Sequence, residues 1–207
     1  MIKINRVPIF TKEIFHFTLP NFEEWKKQIK QILLVEENKV HKINSSPEKQ
    51  TNIMGKRTAW NSHEKYSSLG LLCEEIKKYL EKFIEQEGYD VPSLITQNCW
   101  LNWYKKNNYA QPHKHGGAIA AVLFVDVEES SNKLFFHSDD YLVLVKKNDT
   151  NTNFSNVKEI TANNGTVIFF DGSINHSVSS NTTDNTRITM AANFQPVYPE
   201  NRKEIYK

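Results

Sequence analysis

Two cysteines, Cys73 and Cys99, are all that 207 residues contain. That is too few for a disulfide scaffold. No CxxC or comparable spacing accompanies them, so they read as reduced, small apolar fillers rather than metal ligands. No long uncharged apolar run occurs, which argues against a membrane span. The N-terminal MIKINRVPIF lacks the apolar core and cleavage site of a secretory signal, so a cytoplasmic location is expected. Charge of one sign is also missing: 26 Lys and Arg stand against 24 Asp and Glu, a net +2. Near-neutrality gives no strong nucleic-acid signal and no pull toward a membrane surface. With 39% hydrophobic and 24% charged residues, the chain is long and apolar enough for a real core, and residues 1–207 are read as a single domain.

The first part, 1–94, reads as mainly helical support after a short opening strand. NFEEWKKQIKQILLVEE carries apolar residues at Phe22, Trp25, Ile29, Ile32 and Leu33, one stripe of a helix. Pro20 precedes it and Asn21 is the candidate N-cap. Residues 38–58 are polar and read as a long loop. A second helix is expected at about 66–87, with Leu69, Leu72, Cys73, Ile76, Tyr79, Leu80 and Phe83 on its stripe and Gly88 closing it as C′.

From about residue 95 the texture changes. CWLNWY, AIAAVLFVDV, KLFFH, YLVLV, GTVIFF and RITMAANF are short apolar runs separated by polar turns, as in an antiparallel sandwich or barrel. The expected class is α+β: a double-sheet jelly-roll core over 95–207 with an N-terminal helical layer packed outside it.

Chemistry enters at QPHKHGG. Were it extended, His113 and His115 would leave the same face. A third histidine lies in GTVIFFDGSINHSV, where a strand ends in a turn at Asp171–Gly172 before His176. A strand, a turn and a His following an HxH segment is how a double-stranded β-helix brings three ligands together. Imidazole suits iron, zinc, copper and nickel, so the ligand type alone does not choose the metal. In RITMAANF, alternation puts Arg187, Thr189, Ala191 and Asn193 on one face. An inward arginine is costly unless it meets an anion, and its fork fits a carboxylate, with a hydroxyl two residues on able to help.

The order HxH, distal His, then R-x-S/T about eleven residues later resembles the iron(II)/2-oxoglutarate-dependent oxygenases, in particular those of bacterial and phage type. These show W-x-N before H-x-H, then F-P-S-x-x-x-H and R-I-S-x-S-F-N. The counterparts here are WLNW (100–103), HKHGGAIAAVLFV (113–125), FFDGSINHSV (169–178) and RITMAANF (187–194), and WNS at 60–62 resembles a W-Q-S element. The resemblance implies a double-stranded β-helix enzyme with His113, His115 and His176 as the metal-holding catalytic residues. Arg187 would take the distal carboxylate of 2-oxoglutarate, with Thr189 in place of Ser assisting and Asn102 at the cosubstrate's other end. The cofactor would be iron(II), the cosubstrates 2-oxoglutarate and dioxygen, and the reaction hydroxylation of a further substrate with release of succinate and carbon dioxide.

Three departures stand out. His115 occupies the position of the usual Asp or Glu, which leaves the complex one unit more positive. Asp171 and Phe124 replace a proline and a tyrosine, and the second change removes a hydroxyl. Ala120–Ala121 stand where Ser–Gly is frequent. A cupin using another cosubstrate shares the barrel and the HxH, but it would place a Glu where Ile119 and Ala120 lie. A metal-free binding module is the alternative of another class, and metal content separates it from both enzymes.

Overall fold

The computed structural model describes residues 13–40, 52–88, 93–116, 119–138 and 157–198. The opening strand is β1 (Ile14–Thr18), followed by α1 (Phe22–Val40). Asn21 does stand before α1, but through its backbone: its φ is +53° and its carbonyl accepts the Glu24 N–H at 3.1 Å. The expected loop at 38–58 is only partly irregular. Its end forms β2 (Ile53–Met54) and β3 (Lys56–Arg57), and 41–51 lies outside the described residues. The second helix is found as expected, as α3 (Ser67–Gln86); a short α2 (Ser62–Lys65), which was not expected, precedes it, and Tyr66 takes an extended conformation between them. Gly88 follows as expected of a C′ glycine, with φ +76° and its N–H on Glu85 O.

The strands then run β4 (Ser93–Tyr104), β5 (Tyr109–His113), β6 (Ile119–Asp126), β7 (Lys133–His137), β8 (Val157–Thr161), β9 (Thr166–Asp171), β10 (Asn175–Val178) and β11 (Arg187–Val197). YLVLV falls outside the described residues. Two sheets form, ordered β1-β9-β6-β11-β4-β3 and β2-β5-β10-β7-β8, with every strand pair antiparallel. This is the double-stranded β-helix, with helices covering one sheet.

Side-chain alternation divides the interior into two compartments. Cys99, Leu101 and Trp103 of β4, Leu123 and Val125 of β6, and Met190, Ala192 and Phe194 of β11 turn outward. They pack on Ile29 and Leu33 of α1 and on Leu69, Leu72, Cys73, Ile76 and Leu80 of α3. Each of these fully buried aliphatic side chains contributes about 1.5–3 kcal/mol over its exposed state. Both cysteines are free and buried, with the Cys73 thiol holding the Cys99 pKa well above its ordinary value. The opposite faces of the same strands turn into the barrel and carry a different set: Asn98, Trp100, Asn102 and Tyr104 face Asn193, Ala191, Thr189 and Arg187 across β4 and β11. On β4 and β11 period two thus sends hydrocarbon to the helices and most of the polar groups inward, where Phe124, Leu134, Phe136 and Phe170 form a second apolar cluster.

Candidate metal centre

β5 and β10 are paired so that His113 lies directly opposite His176. His115 falls two residues beyond the end of β5, not on it, and its N–H is tied to Gly172 O at 2.7 Å. The turn after β9 therefore folds back onto the HxH segment, and the three rings converge. Their centroids are separated by 4.2 Å (His113–His176), 5.1 Å (His115–His176) and 5.2 Å (His113–His115). One nitrogen from each can be chosen so that all three lie within 4.8 Å of one another.

The rings are neutral donors. Burial pushes the His176 pKa down to about 3, with further lowering from His113. Burial holds His115 at about 4, again helped by His113, and lowers His113. Nδ1 of His113 lies 2.7 Å from Gln111 O, and Nδ1 of His176 lies 2.8 Å from Ile174 O. A carbonyl can only accept, so those Nδ1 atoms carry the protons and Nε2 is left free to ligate. Three neutral imidazoles on a small buried cavity fit a first-row divalent ion.

That cavity measures about 40 Å³ and is lined by the triad together with Trp100, Asn102, Tyr104 and Thr189. On that measure one water needs about 10–15 Å³, so the cavity has room for a few waters. Asn102 Nδ2 donates to Thr189 Oγ1 at 3.3 Å, and the buried Asn102 Oδ1 has no partner.

Arg187 is buried, as an inward arginine must be, but it does not line this cavity. Its guanidinium stacks 4.5 Å over the Tyr104 ring, which does line it. One arm donates to Ser131 O and to Ser179 Oγ (3.1 Å), the other to Ser179 O (2.6 Å), and Nε is buried without a partner. No acid pairs with it among the described residues, and burial lowers its pKa to about 10. Burial also raises the Tyr104 hydroxyl to about 12. His137, at the end of β7, bonds Ser177 Oγ at 2.8 Å rather than joining the triad.

Several groups around the centre carried little or no sequence signal. Tyr104 shares a strand face with Asn102, yet nothing in the sequence marked it as the ring beneath Arg187. The Ser131 and Ser179 carbonyls are brought to Arg187 only by the fold. Asn193 reaches Nδ1 of His115 at 3.3 Å; the alternation of RITMAANF had already put it on the inward face. A chain of rings leads outward from the triad: Trp100 lies 5.9 Å from His115, and Trp60 packs edge-on against Trp100 at 4.4 Å. Trp60 is 42% exposed and carries the Arg57 guanidinium at 3.9 Å.

Residues 98–193, the stretch that holds the triad and Arg187, match the family described as "Putative 2OG-Fe(II) oxygenase". The protein is an oxygenase of the 2-oxoglutarate/iron(II) class, using iron(II) and 2-oxoglutarate. Solved structures agree on the fold at low identity. A prolyl-4-hydroxylase from Pseudomonas putida matches with a TM-score of 0.57 at 10% identity, covering 91% of this chain and 95% of that one. HygX from Streptomyces hygroscopicus, with nickel, 2-oxoglutarate and hygromycin B bound, gives 0.59 at 9% identity over 91% and 84%. AviO1 from Streptomyces viridochromogenes gives 0.61 at 11% identity over 91% and 93%. No curated protein matches the chain by sequence. Among the described residues no helix is long and apolar enough to cross a membrane.

Proposed function

We propose that this protein hydroxylates a substrate at a C–H bond, coupling the reaction to conversion of 2-oxoglutarate and dioxygen into succinate and carbon dioxide. His113, His115 and His176 hold the iron, Arg187 and Thr189 receive the far carboxylate of 2-oxoglutarate, and Asn102 steadies the cosubstrate. The observation that carries this reading is the convergence of three neutral imidazoles within 4.8 Å, on a cavity that Thr189 and Asn102 also line. Iron(II) supplies the oxygen-activating redox chemistry once bound. The chain's own groups bind, orient and exclude water.

Their roles follow from placement. Main-chain carbonyls set the tautomer and aim of His113 and His176. Arg187 is a cation buried without an acid, and an incoming carboxylate would supply the missing countercharge. It must reach past Tyr104 to do so, so cosubstrate binding entails movement of that ring or of the guanidinium. Asn102 Oδ1 and Thr189 Oγ1 offer polar contact along the same path. Residues 1–207 act as one domain in this account, since α1 and α3 complete the core of the sheet that carries Arg187 and Asn102. Two buried free thiols suit a cytoplasmic setting.

The test is turnover of 2-oxoglutarate labelled at C1 by iron-loaded protein in the presence of dioxygen, with and without candidate substrates. Labelled carbon dioxide and an equal amount of succinate are expected, and both should vanish in His176→Ala. Iron-loaded protein that leaves 2-oxoglutarate intact, with and without candidate substrates, would refute the proposal.

A further inference from the structure

His115 is held differently from its two companions. The Nδ1 atoms of His113 and His176 meet main-chain carbonyls, which fixes their protons. The Nδ1 of His115 meets the side-chain amide of Asn193 at 3.3 Å. That amide is 4% exposed, its nitrogen donates to Asn98 Oδ1 at 2.8 Å, and its own Oδ1 is buried without a partner. Asn98 and Asn193 are direct cross-strand neighbours on β4 and β11, and the small Ala120 of β6 flanks Asn193 on the other side.

We propose that Asn193, steadied by Asn98, is the positioning residue that sets the tautomer of His115, its amide oxygen accepting from His115 Nδ1–H whenever the triad holds a metal. The inference rests on the metal-binding reading above. A carboxylate at position 115 would have no tautomer to set. A histidine there has one, and a ligand whose Nε2 carries the proton cannot bind. An amide can serve either form: its nitrogen donates to a bare Nδ1, and its oxygen accepts from Nδ1–H. An amide nitrogen toward the ring matches the form with the proton on Nε2, which does not ligate through that atom. A half-turn of the Asn193 amide brings the orphaned Oδ1 to the ring, and Nε2 becomes free. The same turn presents oxygen to Asn98, whose amide follows by offering its nitrogen. One pair of hydrogen bonds replaces another inside a closed site: Oδ1 gains two donors, and Nδ2 gives up its two contacts and moves to the place Oδ1 leaves.

The experiment measures nickel(II) affinity by calorimetry, and it reads the protonation of each histidine nitrogen by long-range proton–nitrogen NMR on the zinc-loaded protein. The variants are Asn193→Leu, which keeps the shape without polar atoms, and Asn193→Asp, which keeps an acceptor. Asn193→Leu should lose about 10–100-fold in affinity, the usual effect of removing a partner behind a ligand. Asn193→Asp should stay within about threefold of the parent, with the proton of His115 on Nδ1. Should Asn193→Leu fail to fold, Asn193→Ala replaces it with the same expectation. Parent affinity in the leucine or alanine variant, or an aspartate variant as weak as those, overturns the inference while leaving the metal site standing. A parent protein that takes up neither nickel nor zinc overturns both.

Discussion

Arg187→Met separates stability from function in a way the structure makes quantitative. The buried guanidinium has no acid partner, and its pKa falls from 12.5 to about 10. That fall amounts to roughly 3 kcal/mol against the charged form. Three hydrogen bonds offset it, to Ser131 O, Ser179 Oγ and Ser179 O. Losing them takes a donor from the Ser179 carbonyl, at about 1–3 kcal/mol, while Ser131 O keeps a hydrogen bond from Ser179 Oγ at 3.4 Å. Methionine fills the same volume with no charge to desolvate, and such exchanges are often near neutral. The ligand-free variant should therefore lie within about 2 kcal/mol of the parent. Binding should suffer far more, because removing one member of a buried charge pair costs about 2–5 kcal/mol. That corresponds to at least a thirty-fold loss, at about 1.4 kcal/mol per decade. The assay is urea denaturation of nickel-loaded protein with and without 2-oxoglutarate. At a hundred times its dissociation constant the ligand should stabilise the parent by about 2.7 kcal/mol, and the variant by less than about 1 kcal/mol. A variant that unfolds several kcal/mol more easily yet still gains the full ligand increment would show that Arg187 is a structural strut and nothing else.

Three further outcomes follow from the same contacts. Metal-free protein should lose stability as pH falls from about 6.5 toward 4: His115 and His176 have folded pKa values depressed to about 4 and about 3, so the unfolded chain binds protons first. The dependence should flatten in His176→Gln, and an unchanged acid limb there would contradict the depressed value. Leu72→Ala, at a fully buried position between α3 and the sheet, should cost about 2–5 kcal/mol by urea denaturation, and a loss under about 1 kcal/mol would contradict that packing. Gly165→Ala should cost about 1–3 kcal/mol, since φ is +83° and the new Cβ would stand 2.9 Å from Phe22 Cγ; an unchanged melting temperature would mean that turn is not as drawn.

The parts of the fold legible in the sequence are those governed by a period. The stripe of α3, the alternation of RITMAANF and the apolar runs of the barrel all announced their faces, because burial selects side chains at regular intervals. The short strands β2 and β3 were hidden, since they owe their form to pairing with distant β5 and β4. At the centre, the three histidines could be named from motif order alone. Their convergence depends on the β5–β10 register and on the Gly172 carbonyl that anchors His115, both long-range. The place of Arg187 shows the boundary best. Alternation predicts that it points inward, whereas the ring of Tyr104 between it and the cavity is a matter of packing that no local pattern encodes.

The most direct test of the account is anaerobic addition of iron(II) and 2-oxoglutarate to metal-stripped protein, followed by its visible spectrum. The account predicts a metal-to-ligand charge-transfer band that needs both additions and disappears in His176→Ala. Iron bound at this triad with no such band, or a band that survives in His176→Ala, would contradict it.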